Sequence, residues 1–116
     1  MSVNLAPSAN STNSPLTNRT AGLGNGVNVK KTLGIVYGVT GYSTTAQFLQ
    51  IHDKATAASN AEVPLVTIPI AAGAAFNLDF GVYGLLCTNG IQVVNSITGP
   101  TLTIGAADTF MTIRYA

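Results

Sequence analysis

The chain has 116 residues, of which 47% are hydrophobic and only 8% are charged, and its net charge is +1. That length suits one domain, and so apolar a composition argues against intrinsic disorder. Five Lys and Arg residues in the whole chain argue against nucleic-acid binding, which needs many cations to neutralise phosphates. The longest nearly apolar run, residues 63–76, is broken by Pro64, Thr67, Pro69 and Gly73. It falls short of the ~20 apolar residues that a spanning helix requires, so no membrane partner is expected. Uncharged polarity takes the place of charge: Ser, Thr and Asn number 32. Hydroxyls and amides cost less to desolvate than ions, which suits a surface that spends its life against neighbouring protein.

The first 26 residues are rich in Asn, Ser, Thr and Gly, and Arg19 is their only charged side chain. They show no sustained apolar periodicity, so residues 1–26 are expected to form an extended N-terminal arm. Leu5, Pro7, Pro15, Leu16, Arg19 and Leu23 are its candidate partner-binding residues. Gly22-Leu23-Gly24-Asn25-Gly26 reads as a hinge. Met1–Pro7 has neither a basic nor an apolar stretch, so no secretory signal is expected and the chain is assigned to the cytoplasm where it is made.

From Val27 onward, short apolar runs are cut by Gly, Asn and Pro at the spacing of an all-β domain, expected to occupy residues 27–116. Residues 27–39 predict one or two strands, interrupted near Gly34 and ended near Gly38 or Gly41. Residues 46–53 predict the next. Residues 55–60 are a small-residue loop or a short helical turn. Residues 63–70 are β-branched and too apolar for one wet face, so they should be buried on both sides or covered by a partner. Phe76, Leu78 and Phe80 alternate with Asn77 and Asp79, the period of a half-buried strand. Residues 85–87 form a short strand. Asn89-Gly90 is a hairpin signal, and residues 91–94 follow it as a strand. Gly99-Pro100 marks a turn, and residues 101–104 and 109–115 complete about eight strands. In the last, Met111, Ile113 and Tyr115 alternate with Phe110, Thr112 and Arg114. The fold class is therefore an antiparallel β-sandwich, jelly-roll or immunoglobulin-like.

Catalytic and metal patterns are weak. His52-Asp53 is the one pair resembling a catalytic fragment, but adjacent strand residues point to opposite faces, and no Gly-x-Ser-x-Gly elbow exists. The simpler reading is a strand end at His52 and a turn starting at Asp53-Lys54. One His and one Cys cannot build a structural zinc site, and Asp53, Asp79 and Asp108 lack calcium-loop spacing. Cys87 allows no disulfide within the chain and reads as an inert core thiol. Gly22-x-Gly24-x-Gly26 lacks the Gly-Lys-Ser/Thr ending of a phosphate loop. Tyr42 and Tyr83, beside glycines, are either a carbohydrate platform or loop tyrosines packed on their own backbone. No enzyme and no cofactor are expected.

Phe48-Leu49-Gln50-Ile51-His52-Asp53, Val63-Pro64-Leu65-Val66-Thr67-Ile68-Pro69-Ile70, Gly73, Phe76-Asn77-Leu78-Asp79-Phe80-Gly81, Gly90-Ile91 and Ala106-Ala107-Asp108 carry a resemblance of order and texture. From Ala46 onward the chain resembles small β-sandwich virion proteins of tailed bacteriophages, such as head-decoration proteins. That resemblance implies a capsid decoration or cement protein, located in the virion and assembled in the host cytoplasm. Its partners would be the major capsid protein or other virion proteins, with self-association as a homo-oligomer, a trimer among the arrangements. It implies no catalytic residues. The alternative is a tail, baseplate or fibre-associated module that binds a receptor glycan.

Overall fold

The computed structural model describes residues 16–116, and every regular element in that range is a strand. In chain order they are β1 (Leu16–Arg19), β2 (Gly26–Lys30), β3 (Gly34–Ser43), β4 (Gln47–His52), β5 (Val66–Ile70), β6 (Ala75–Asp79), β7 (Leu85–Cys87), β8 (Ile91–Ser96) and β9 (Thr109–Tyr115). The first sheet runs β1-β9-β3-β6, with β7 also on β3; the second runs β2-β8-β4-β5. All pairings are antiparallel. β7 pairs with Gly34–Val36 and β6 with Gly38–Tyr42, so the two share one position along β3. Counted that way, eight strand positions form two four-stranded sheets in jelly-roll order, with every connection crossing between sheets except the β4–β5 hairpin. An immunoglobulin arrangement would put the first two strands in one sheet, whereas β1 and β2 lie in different ones.

Period-two patterning builds the core. Val36, Val39, Met111 and Ile113 from the first sheet meet Leu49, Ile51, Ile91 and Val93 from the second, all with almost no solvent exposure. Phe76, Leu78, Val66 and Ile68 pack at its margin. At one end the sheets are joined by polar groups instead. Gln47 Nε2 donates to Ser43 Oγ and Thr109 Oγ1, each at 2.9 Å. Asn95 Nδ2 donates to Thr109 Oγ1 at 3.0 Å and to the Ala106 carbonyl at 2.9 Å.

The outer faces differ. Gln50, His52, Gln92 and Ser96 point away from the core, yet all four are buried. Two loops cover them. Gln50 Nε2 donates to the carbonyls of Thr98 and Gly99, each at 3.0 Å. Gln92 Nε2 donates to the Lys54 carbonyl at 3.3 Å. The loops clasp each other through Ala61 N–H to Leu102 C=O and Leu102 N–H to Glu62 C=O, both 2.8 Å, and Leu102 is buried between them and the sheet. The outer face of the first sheet carries exposed Thr17, Arg19, Tyr42, Ala75, Asn77, Phe110 and Arg114.

Six local expectations change. Residues 16–26 were expected in the arm, but Leu16–Arg19 is a strand on β9, and Thr20 N–H donates to Met111 C=O at 3.1 Å. Backbone pairing holds this edge strand, which therefore needs no apolar period. The glycine hinge is a crossing between sheets: Gly24 exchanges bonds of 2.8 and 3.0 Å with Thr109, and Gly26 pairs with Val94. β3 continues through Gly38 and Gly41. Residues 63–70 are not buried on both sides within the chain, because β5 is an edge strand with Thr67 and Pro69 exposed. Asn89-Gly90 makes no hairpin, since β7 and β8 lie in different sheets. Residues 101–104 contribute only a single bridge, Ile104 to Ser96.

Ile51 is fully buried, so Ile51→Ala should cost about 2–5 kcal/mol in denaturant unfolding. A Cβ at Gly41 would run into the Phe110 carbonyl and the Phe76 ring, so Gly41→Ala should also lower the midpoint even though it only adds a methyl group.

Candidate interaction surface

Of the six residues expected to bind a partner, Leu5, Pro7 and Pro15 lie outside the described residues. The other three line one edge of the first sheet in chain order. Leu16 stands opposite Tyr115, Arg19 opposite Thr112, and Leu23 just before Gly24 at Thr109. All three side chains are exposed.

Beside Leu23, the open face of the first sheet carries an aromatic pair. Register places Phe110 opposite Tyr42 and Tyr42 opposite Ala75. The two rings have centroids 6.5 Å apart and tilt by 40°. The next row is Arg19, Thr112, Thr40 and Asn77. Phe110 was legible as outward-facing from the alternation in the last strand, although its pairing with Tyr42 needed the register. A second apolar group lies where β7 flanks β3. Val82 and Tyr83 are 87% and 91% exposed, and Leu86 is also exposed opposite Ile35. Tyr83 thus does not pack on its own backbone. A third group, Val63 (76% exposed) and Leu65, precedes β5.

The residues with chemical potential serve the fold. His52 is buried, and its Nε2 sits 2.9 Å from Gln50 Oε1. Burial pushes its imidazole below the ordinary value of 6.5; Glu62 opposes that shift and Lys54 adds to it. Burial raises the Asp53 carboxyl, but hydrogen bonds outweigh it and hold the group below its ordinary value. Those bonds come from the N–H groups of Asn89 (2.7 Å), Thr88 (3.1 Å) and Gly90 (3.3 Å) and from the Thr88 hydroxyl (3.0 Å). Asp53 therefore wraps the β7–β8 crossing around its carboxylate, which explains why Asn89-Gly90 forms no hairpin. Glu62 is held below its ordinary value by the Lys54 ammonium and the Ser59 N–H. Burial, with Asp53 adding, pushes the Cys87 thiol up to about 11. A thiol that stays protonated at neutral pH is a poor nucleophile. Among the described residues, no three His, Cys, Asp or Glu side chains group as metal ligands.

No protein-family model, curated protein or solved structure matches the chain.

Asp53→Ala should cost about 1–2 kcal/mol, because three backbone donors lose a charged acceptor in a part-exposed site. The pH dependence follows from the directions. The folded imidazole lies below its unfolded value, so its contribution is present above pH 6.5 and is lost as pH falls below it. The Asp53 contribution is lost lower, as pH falls from 3.8 through the folded value. Thermal melts of His52→Gln should lose the first slope and keep the second.

Proposed function

We propose that the protein is a structural component of a phage particle, a decoration or cement module that works by packing on neighbouring subunits. The observation that carries this reading is apolar surface on a nearly uncharged molecule. Val82, Tyr83, Leu86, Val63 and Leu65 stand in solvent on a chain with nine charged residues. A free monomer normally keeps more charge for solubility, and exposed apolar groups of this kind suit a protein interface. The jelly-roll order adds fold-level support, since viral capsid domains use it; lectin domains use it too, so topology does not decide between them. In this reading, Leu5, Pro7, Pro15, Leu16, Arg19 and Leu23 contact the major capsid protein or other virion proteins, and copies self-associate.

The Tyr42–Phe110 pair favours a second reading, a tail or fibre-associated module that lays a receptor glycan on the open sheet face. Aromatic faces pack well on apolar ligand surface while neighbouring hydroxyls and amides supply hydrogen bonds.

Co-sedimentation with phage capsids tests the first reading. Full-length protein should pellet with capsids to a saturable ratio. A chain beginning at Leu16, which keeps every described strand, should pellet much less. Equal pelleting of the two would rule out the arm as the cementing element, and no pelleting of the full-length chain would sink the capsid reading. The glycan reading instead expects binding to host surface glycans that Phe110→Ala abolishes while the melting temperature holds.

A further inference from the structure

One edge of β2 is open. β2 ends the second sheet, with β8 on one side. In an antiparallel pair, residues exchange both backbone bonds only at every second position. Asn95 N–H donates to Asn25 C=O at 3.0 Å, so the bonded pairs are Asn25–Asn95 and Val27–Val93. Gly26 and Asn28 therefore turn their N–H and C=O groups away from β8. Among the described residues neither takes another backbone partner. An edge of this kind is a template for another strand.

A pocket adjoins the same edge. Asn25–Asn28, Ala57, Ala58, Val94 and Ile104 line a cavity of about 240 Å³. It stays open at Gly26 because that residue has no side chain: a Cβ there would meet Val94 Cγ1 at 2.8 Å. A strand laid along β2 would put alternate side chains over this hollow.

We propose that the occupant is Ser2–Ala6 of a neighbouring copy of this chain, which makes strand exchange the means of self-association. This rests on the assembly role proposed above and names the groove that the arm fills. In Ser2-Val3-Asn4-Leu5-Ala6, Val3 and Leu5 are two residues apart, the spacing of Gly26 and Asn28. Two small apolar side chains on one strand face suit a hollow lined by Ala, Val and Ile. Pro7 then ends the pairing, because it has no N–H to give. The ten residues between Leu5 and Leu16 reach up to about 35 Å when extended. The arm leaves from Leu16, beside Tyr115, at the opposite end of the sandwich from Gly26, which lies near Thr109.

The test uses full-length chains carrying single substitutions, Leu5→Cys in one and Asn28→Cys in the other. They are mixed and oxidised both free and after saturating capsids. The native Cys87 is buried and does not interfere. The expected result is a disulfide-linked dimer of one chain of each kind. Asn28→Pro removes an outward N–H that an edge strand can lose without unfolding. It should keep the wild-type melting temperature and weaken self-association in sedimentation velocity by roughly tenfold or more, the effect of lost ladder hydrogen bonds. A third chain carries both Leu5→Cys and Asn28→Cys, and a disulfide that forms only within that chain would overturn the exchange between copies. So would the absence of any cross-link in both conditions. Either result can coexist with full capsid binding, so failure here is distinct from failure of the capsid reading.

Discussion

The Gln50 amide is the interaction on which the two-faced character of this sandwich depends. It projects from the middle of the second sheet, on the face away from the core, and bonds the carbonyls of Thr98 and Gly99. Those carbonyls belong to a loop that has no strand ladder of its own beyond one bridge. The Thr98 carbonyl also accepts from the Ser96 hydroxyl at 2.7 Å, so two side chains of the outer face hold the loop down. With the loop held down, Leu102 fills the space behind it and the clasp to residues 61 and 62 closes. The middle of the second sheet, at Gln50, His52, Gln92 and Ser96, is then buried on its outer face as well, whereas the outer face of the first sheet stays open. The same covering accounts for His52, which shares the Gln50 face and loses water to the loops rather than to the core.

A second polar cluster does a different job. Ser43, Gln47, Asn95 and Thr109 come from four strands, two in each sheet, and bond to one another where apolar side chains would otherwise meet. Hydrogen bonds are directional and apolar contacts are not. The cluster therefore fixes the registration of one sheet on the other, which Val and Ile packing alone leaves looser. It also holds the Gly24 crossing, because Asn95 reaches the Gly24 carbonyl at 3.5 Å while Thr109 pairs with its backbone. β2 begins two residues later, so its open edge is positioned by buried amides.

How much was legible in the sequence follows from which forces leave a mark on it. Strands with one face in the core wrote a period of two: residues 76–80 and 109–115 show it, and β6 and β9 form there. β4 was legible as an element. Its covering was not, because Gln50 and His52 read as ordinary outward polar residues until the loops are in place. β1 was invisible because it is held by backbone bonds to β9, and backbone bonds have no residue signature. Asn89-Gly90 misled for the opposite reason. A strong local turn signal was overridden by the Asp53 carboxylate, 35 to 37 residues away in the chain. The jelly-roll order itself depends on such long-range pairings, so the sequence left it level with the immunoglobulin alternative. The candidate surface was half legible. Leu16, Arg19 and Leu23 were singled out as loose handles and lie exposed along one sheet edge. Leu86 was read only as part of a short strand, and Val82 was not singled out.

The low charge and the open edges belong to one physical balance. An exposed strand edge is commonly protected by lysines or by inward-pointing charges. Here β5 is protected by Pro69, which withholds an N–H, whereas β2 has only the half-buried Lys30 at its end. Gly26 and Asn28 carry no charge to repel an incoming strand, and Val94 and Ile104 beside them give such a strand something to pack on. A molecule that had to remain alone would gain from a charge at this edge. Desolvating that charge would oppose contact with a neighbour, whereas an asparagine can be dried at lower cost and still supply hydrogen bonds. The predominance of Asn, Ser and Thr over Lys and Glu thus lowers the desolvation cost that the proposed assembly role would have to meet.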